Sequence, residues 1–252
     1  MLARTMHDIR YDAIHDEIVI PNQFAQAILT FPGGAAGEVA PKRVIQGSLS
    51  QLTRPDRLDI DPIHNEIVVP NSDSVVVFAR EATGNAKPLR VIRGPKTLIK
   101  GSSALAVDPV NNVIIVASQV RPPGRAQNNY TPTTNALLVF DRTAEGDVAP
   151  LRVITGETTG LHIINQLQVY SPKGWVVVTQ TTTDLESEPP GIFVGVWSIK
   201  DDGDVAPRWK IAGPNSRLKK PRGVVLNPRN KELIVADMRL NSVLTYYFPA
   251  IF

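Results

Sequence analysis

One pattern is written five times along this chain. Ile9 to Asn22 (IRYDAIHDEIVIPN), Leu58 to Asn71 (LDIDPIHNEIVVPN), Leu105 to Ser118 (LAVDPVNNVIIVAS), Leu167 to Gln180 (LQVYSPKGWVVVTQ) and Val224 to Asp237 (VVLNPRNKELIVAD) align along their length, and their starts lie 49, 47, 62 and 57 positions apart. A repeat of this length constrains the fold more than any local propensity, because each copy is one supersecondary unit that buries its apolar face only against a neighbouring copy. Every copy reads as a short strand, a polar turn and a second, apolar strand. Asp61-Pro62, Asp108-Pro109 and Asn227-Pro228 open turns, and Asn or Lys follows before the next apolar run.

A third strand follows and ends in an aromatic residue: Ala27 to Phe31, Val75 to Phe78, Leu137 to Phe140, Val194 to Trp197 and Val243 to Tyr247. Rings there are expected to fill the space between adjacent sheets. Glycine links come next, at Gly37, Gly84, Gly146 and Gly203, each followed four residues later by a proline, Pro41, Pro88, Pro150 and Pro207. A fourth strand runs from Arg43 to Gly47, Arg90 to Gly94, Arg152 to Gly156 and, in a looser copy, Arg208 to Gly213. Proline at its head suits an outer edge, where a missing amide is tolerated. Four strands per copy and no helical periodicity predict an all-β fold, a β-propeller of five four-stranded blades in one domain over 1–252. The blades are expected at approximately 7–48, 56–95, 103–157, 165–214 and 222–252.

The Asp-Pro turn, the EIVV strand from Glu66 to Val69, the strand ending in Phe78 and the RVI strand from Arg90 to Ile92 resemble the NHL-repeat family of β-propellers. The resemblance runs over essentially the whole chain. It implies a blade and not a reaction, since NHL-like propellers include protein-binding modules, lactonases and lyases, and some bind RNA through a basic upper face.

Composition narrows the chemistry. With no cysteine, disulfides and thiolate metal sites are excluded, and the 27 basic and 24 acidic residues are intermixed. Met1 to Tyr11 lacks the pattern of a secretory signal and no apolar run approaches a membrane span, so a soluble chain is expected. The compartment stays open, with secretion expected if the N-terminus is incomplete. The fifth copy stops at Phe252, directly after its third strand, so its blade lacks an outer strand unless Met1 to Met6 supplies a stunted one. Two readings follow: a five-bladed ring closed imperfectly, which is preferred, or the C-terminal part of a longer propeller. An open blade edge makes a dimer the alternative to a monomer.

In a propeller, the residues before the innermost strands and those ending the second strands share one face, here called upper. The candidate ligand-binding residues are therefore His7, Asp8, Asp56, Arg57, Asn165 and Arg222, joined by Asn22, Asn71, Gln180 and Asp237 from strand ends. Solvated turn and channel residues of any propeller would look the same. Two insertions, 119–135 and 181–191, lie in the upper-face connection and favour a binding site there. The leading expectation is a binding scaffold whose upper face and inserted loops take a protein or small-molecule partner.

A metal-assisted hydrolase or lyase, lactonase-like, at the channel mouth is the runner-up. His7 and His162 offer imidazole nitrogen and Asp56 and Asp237 offer carboxylates, a set that suits calcium where oxygen dominates and zinc where nitrogen does. In the sugar-lactonase relatives of the resembled family, calcium is held by acidic and amide side chains at comparable strand ends. A glycosidase using Asp8, Asp56 and Asp237 has no marking motif, and neither GxSxG nor a phosphate-binding glycine loop is present. An RNA-binding face would draw on Arg54, Arg57, Arg121, Arg125, Arg217, Lys219, Lys220 and Arg222 with Tyr130 for stacking, diluted by Asp8, Asp56, Asp184, Glu186 and Glu188. His15 and His64 are expected to be exposed turn residues.

Overall fold

An aspartate opens the turn in each of the first three blades. Asp12 Oδ1 accepts from the amides of Ile14 (2.9 Å) and His15 (3.1 Å), Asp61 from that of His64 (2.8 Å), and Asp108 from those of Val110 (3.2 Å) and Asn111 (3.0 Å). The other carboxylate oxygen takes His15 Nδ1, His64 Nδ1 or Asn111 Nδ2, each at 2.7 Å. These are Asx turns, which mimic a backbone turn with a side chain. His15 and His64 are thus turn residues; His64 is exposed as expected, whereas His15 is half-buried. The residue ahead of the second strand has positive φ in every blade: Asp16, Asn65, Asn112, Gly174 and Lys231, at 51°, 57°, 56°, 64° and 56°. Asn and Asp tolerate that region best after glycine, which accounts for most of the recurrent choice.

The computed structural model describes residues 7–102, 104–120, 134–181 and 191–252. Five antiparallel meanders follow one another: β1 (Arg10–Asp12), β2 (Glu17–Asn22), β3 (Ala27–Pro32) and β4 (Arg43–Gln46); β5 (Asp59–Asp61), β6 (Glu66–Pro70), β7 (Ser74–Ala79) and β8 (Arg90–Arg93). Next come β9 (Leu105–Asp108), β10 (Val113–Val120), β11 (Thr134–Asp141) and β12 (Arg152–Ile154); β13 (Ile163–Tyr170), β14 (Trp175–Thr181), β15 (Phe193–Ser198) and β16 (Trp209–Ala212). The last sheet has only three strands, β17 (Pro221–Asn227), β18 (Glu232–Asp237) and β19 (Ser242–Tyr247). The fold is a five-bladed β-propeller, and no helix among the described residues is long and apolar enough to cross a membrane.

Apolar burial between consecutive sheets holds the blades together. Ile60, Ile67, Val69, Val76 and Phe78 of the second blade pack on Val19, Ile28 and Ile45 of the first, and equivalent clusters join second to third, third to fourth and fourth to fifth. Each fully buried aliphatic chain contributes about 1.5–3 kcal/mol. The strand-ending rings Phe78, Phe140 and Trp197 lie in these layers at no more than 1% exposure. In the fifth blade that place belongs to Tyr246, paired with Leu233, and Tyr247 points outward at 72% exposure, which corrects the expectation for Tyr247.

The glycine links lock one blade to the next. Gly84 N–H donates to Val44 O (2.6 Å) and Gly84 O accepts from Gln46 N (2.9 Å), while Asn85 Oδ1 accepts from Leu49 N (2.7 Å). Gly146 with Asp147, and Gly203 with Asp204, repeat the arrangement on the second and third blades. A single 3-10 turn follows Gly47, Gly94, Gly156 and Gly213, short helical structure that the strand periodicity did not signal.

Candidate functional site

The loops entering the inner strands and the ends of the second strands meet on one face. They meet because the strand-end side chains tie the loops down. Asn71 Oδ1 accepts from Thr53 N (2.8 Å), Thr53 Oγ1 (2.9 Å) and Arg54 N (3.1 Å), and its amide donates to Gln51 O (2.8 Å). Gln180 takes His162 N (2.8 Å) and donates to Gly160 O (2.7 Å) and Gly191 O (2.6 Å). Asp237 accepts from the amides of Lys219, Lys220, Arg239 and Leu240 at 2.8 to 3.1 Å. Asn22 accepts from Ala25 N (3.1 Å) within its own hairpin. These residues stand on the expected face, with their polar atoms engaged by the protein's own backbone.

A second set converges on the channel. Asp8 Oδ1 accepts from Arg10 Nη1 and from Gln166 Nε2, both at 3.0 Å, and Oδ2 accepts from Leu58 N (3.3 Å). Arg10 Nε also donates to Asp59 Oδ1 (3.0 Å), whose Oδ2 takes Val107 N (2.8 Å). Asn165 Oδ1 accepts from Arg222 Nη1 (2.9 Å) and its amide donates to Pro221 O (2.9 Å). Asp56 lies between Arg57, 2.8 Å away, and the His7 ring, which is hydrogen-bonded to it. Burial pushes the Asp8 carboxyl above the usual carboxylate range despite Arg10 beside it. Burial also pulls the Arg57 guanidinium down, against the pull of Asp56 and Asp8.

Of the sequence candidates, His7, Asp8, Asp56, Arg57, Asn165 and Arg222 surround the channel mouth. Arg10 and Asp59 belong to the same network and were missed. The signal was available: they occupy one equivalent position in β1 and β5, pairing with Val19 and Val68, where β9 carries Ala106. A charge there points to a polar channel.

A recess of about 1000 Å³ opens over this cluster, lined among others by Arg54 and Asp56 from the loop entering the second blade and by Arg222, Ala236 and Val243 of the fifth. Among the described residues, no group of three or more His, Asp or Glu is arranged to hold a metal ion. Asp237 is turned to backbone amides, and His7 and Asp56 face each other. Residues 121–133 and 182–190, the greater part of both insertions, lie outside the described residues; Gln119 and Asn135 are paired across β10 and β11, so the third blade's insertion begins as an extension of its hairpin.

No protein-family model and no curated protein matches the sequence. The fold is similar to solved structures. One is the hydrazine synthase of Kuenenia stuttgartiensis, with a TM-score of 0.63 at 15% identity, covering 91% of this chain and 55% of that one. Another is a nidogen/laminin complex, with a TM-score of 0.62 at 12% identity, covering 97% of this chain and 81% of that one. The chain thus spans little more than half of the hydrazine synthase chain. At such identities the likeness is one of fold.

Proposed function

We propose that this chain is a non-catalytic binding propeller of NHL-like type, whose channel mouth receives a small anionic ligand or an acidic side chain of a partner protein. The observation that carries this reading is the charge left over at the recess. The carboxylates Asp8, Asp56 and Asp59 are each answered by an arginine or histidine within the network. Arg54 and Arg222 remain exposed at the rim, and Arg222 spends one Nη1 bond on Asn165. A guanidinium offers five donors in a fixed fork, so the rim keeps donor capacity suited to carboxylate or phosphate. Acids already paired to cations are poor general bases, which weighs against a hydrolase.

Calorimetric titration with inorganic phosphate and with citrate at low salt tests the reading. Either anion should bind, and Arg222→Ala and Arg54→Ala should each weaken it about tenfold. Absence of heat with both anions, or affinities untouched by both substitutions, would refute it.

A further inference from the structure

The recess is larger than the anion its arginines call for. At about 1000 Å³ it stands at the upper end of the roughly 300–1000 Å³ that sites for drug-sized ligands occupy. An inorganic phosphate or a single acidic side chain fills a small part of that space. The rest of the wall is largely apolar: Ile163 and Ile164 enter the lining from the start of β13, Ala236 from β18, Met238 from the turn after it and Val243 from β19. Met238 and Val243 are 53% and 67% exposed there. Ala236 pairs with Gly223 on one side and Val243 on the other, so glycine and alanine leave depth where larger side chains would stand.

Charge sets the valence of the head that such a ligand brings. Among the described lining residues, the guanidiniums of Arg54, Arg57 and Arg222 stand against the carboxylates of Asp56 and Asp237. Asp56 is answered by Arg57 and His7, and Asp237 by backbone amides, so the lining holds an excess of a single cation. Beneath it Asp8 and Asp59 share the Arg10 guanidinium. A second negative charge on the ligand meets these carboxylates in a weakly solvated place, where burial already pushes the Asp8 carboxyl toward its neutral form.

We infer that the ligand is an amphiphilic monocarboxylate, with one carboxylate at the rim of Arg54 and Arg222 and an apolar body laid along Ile163, Ala236, Met238 and Val243. The inference rests on the anion-binding reading above and narrows it. A guanidinium receives a carboxylate through two parallel hydrogen bonds, and the body gains affinity by leaving water, about fourfold for each methylene fully buried. An Asp or Glu side chain of a partner protein fits the same recess less well, because it brings one or two methylenes and then polar backbone to the apolar wall.

Calorimetry of the 252-residue chain with acetate, butyrate, hexanoate and octanoate tests this, with inorganic phosphate and 1-octanol beside them. Octanoate should bind at least about fiftyfold more tightly than acetate, as methylenes half-buried in an open recess require, and with a negative heat-capacity change. Octanol, which has the tail without the charge, should bind at least about tenfold more weakly than octanoate. Ile163→Ser takes apolar surface from the wall and Ala236→Leu fills the space before it; each should weaken octanoate about fivefold and leave phosphate within about twofold. Phosphate binding beside a flat carboxylate series would overturn the inference and leave the anion reading standing, whereas binding of neither would overturn both. Octanol as tight as octanoate, or octanoate untouched by both wall substitutions, would put the tail on apolar surface elsewhere and overturn it too. Tighter binding of a capped Leu-Asp-Leu peptide than of octanoate would assign the recess to an acidic segment of a partner protein instead.

Discussion

Gln166 and Asp8, 158 residues apart in sequence, are hydrogen-bonded at 3.0 Å between the fourth and first blades. The same Gln166 accepts from Val224 N at 2.6 Å, so one side chain ties three blades at the channel wall. Gln166→Leu leaves a buried carboxylate and a buried amide each short of a partner. Such orphaned groups cost about 1–3 kcal/mol, and the loss should appear as a lower urea midpoint with unchanged slope. A midpoint equal to wild type would mean that the fourth blade does not brace the first.

Acid should unfold the chain through its junction carboxylates. Burial raises the Glu17 pKa, but hydrogen bonds from Arg43, Lys42 and Arg80 outweigh it and hold the group at about 2. Because the folded pKa lies below the unfolded one, the stability Glu17 contributes is complete above the ordinary carboxylate pKa and is lost as pH falls toward 2. Glu66, hydrogen-bonded by Arg90 and Arg142 against its own burial, shifts the same way. Asp8 acts oppositely: its raised pKa makes it a cost that acid relieves. Glu17→Gln should therefore flatten the fall of stability between pH 5 and pH 2, at about those values. A pH profile parallel to wild type would refute the assignment.

The propeller was legible because the residues that build it repeat. Apolar runs such as those of β6 and β7, the turn aspartates and the glycine links each recur at one phase of the period, and the repetition averages out local noise. The site was legible by position and not by role. Asn71, Gln180 and Asp237 sit on the predicted face, yet what their oxygens bond depends on loop amides brought close by folding, which no spacing records. The three-stranded last sheet was readable from the fifth copy's missing fourth strand, whereas the bond from Arg80 to Glu17 across the first two blades joins positions 63 residues apart that only the folded sheets bring together.

The clamps and the anion rim should separate under mutation. Asn71→Ala removes the acceptor for three donors at the loop entering the second blade. It should cost about 2 kcal/mol in stability while leaving phosphate affinity within about twofold, provided that the recess is read by Arg54 and Arg222. A collapse of phosphate affinity in a folded Asn71→Ala protein would show that the loop's tether, and not its arginine, governs the recess.

The glycine lock makes the sharpest claim about stability. Gly94 has φ 135° and an ideal Cβ there would lie 2.4 Å from Asp147 Cγ, because the Asp147 side chain crosses over it to take the Lys96 amide at 2.7 Å. Gly94→Ala therefore meets both a backbone conformation closed to L-residues and a side chain it must evict. Asp147→Ala removes only the hydrogen bond, at about 1 kcal/mol. The double substitution removes the carboxyl group but leaves the Cβ of residue 147 2.6 Å from the new one and the backbone strained, so it should be only partly less destabilised than the sum of the singles, and still less stable than Asp147→Ala alone by at least about 1–3 kcal/mol. Strict additivity in thermal unfolding would mean that the two residues do not touch, and the lock between the second and third blades would have to be sought elsewhere.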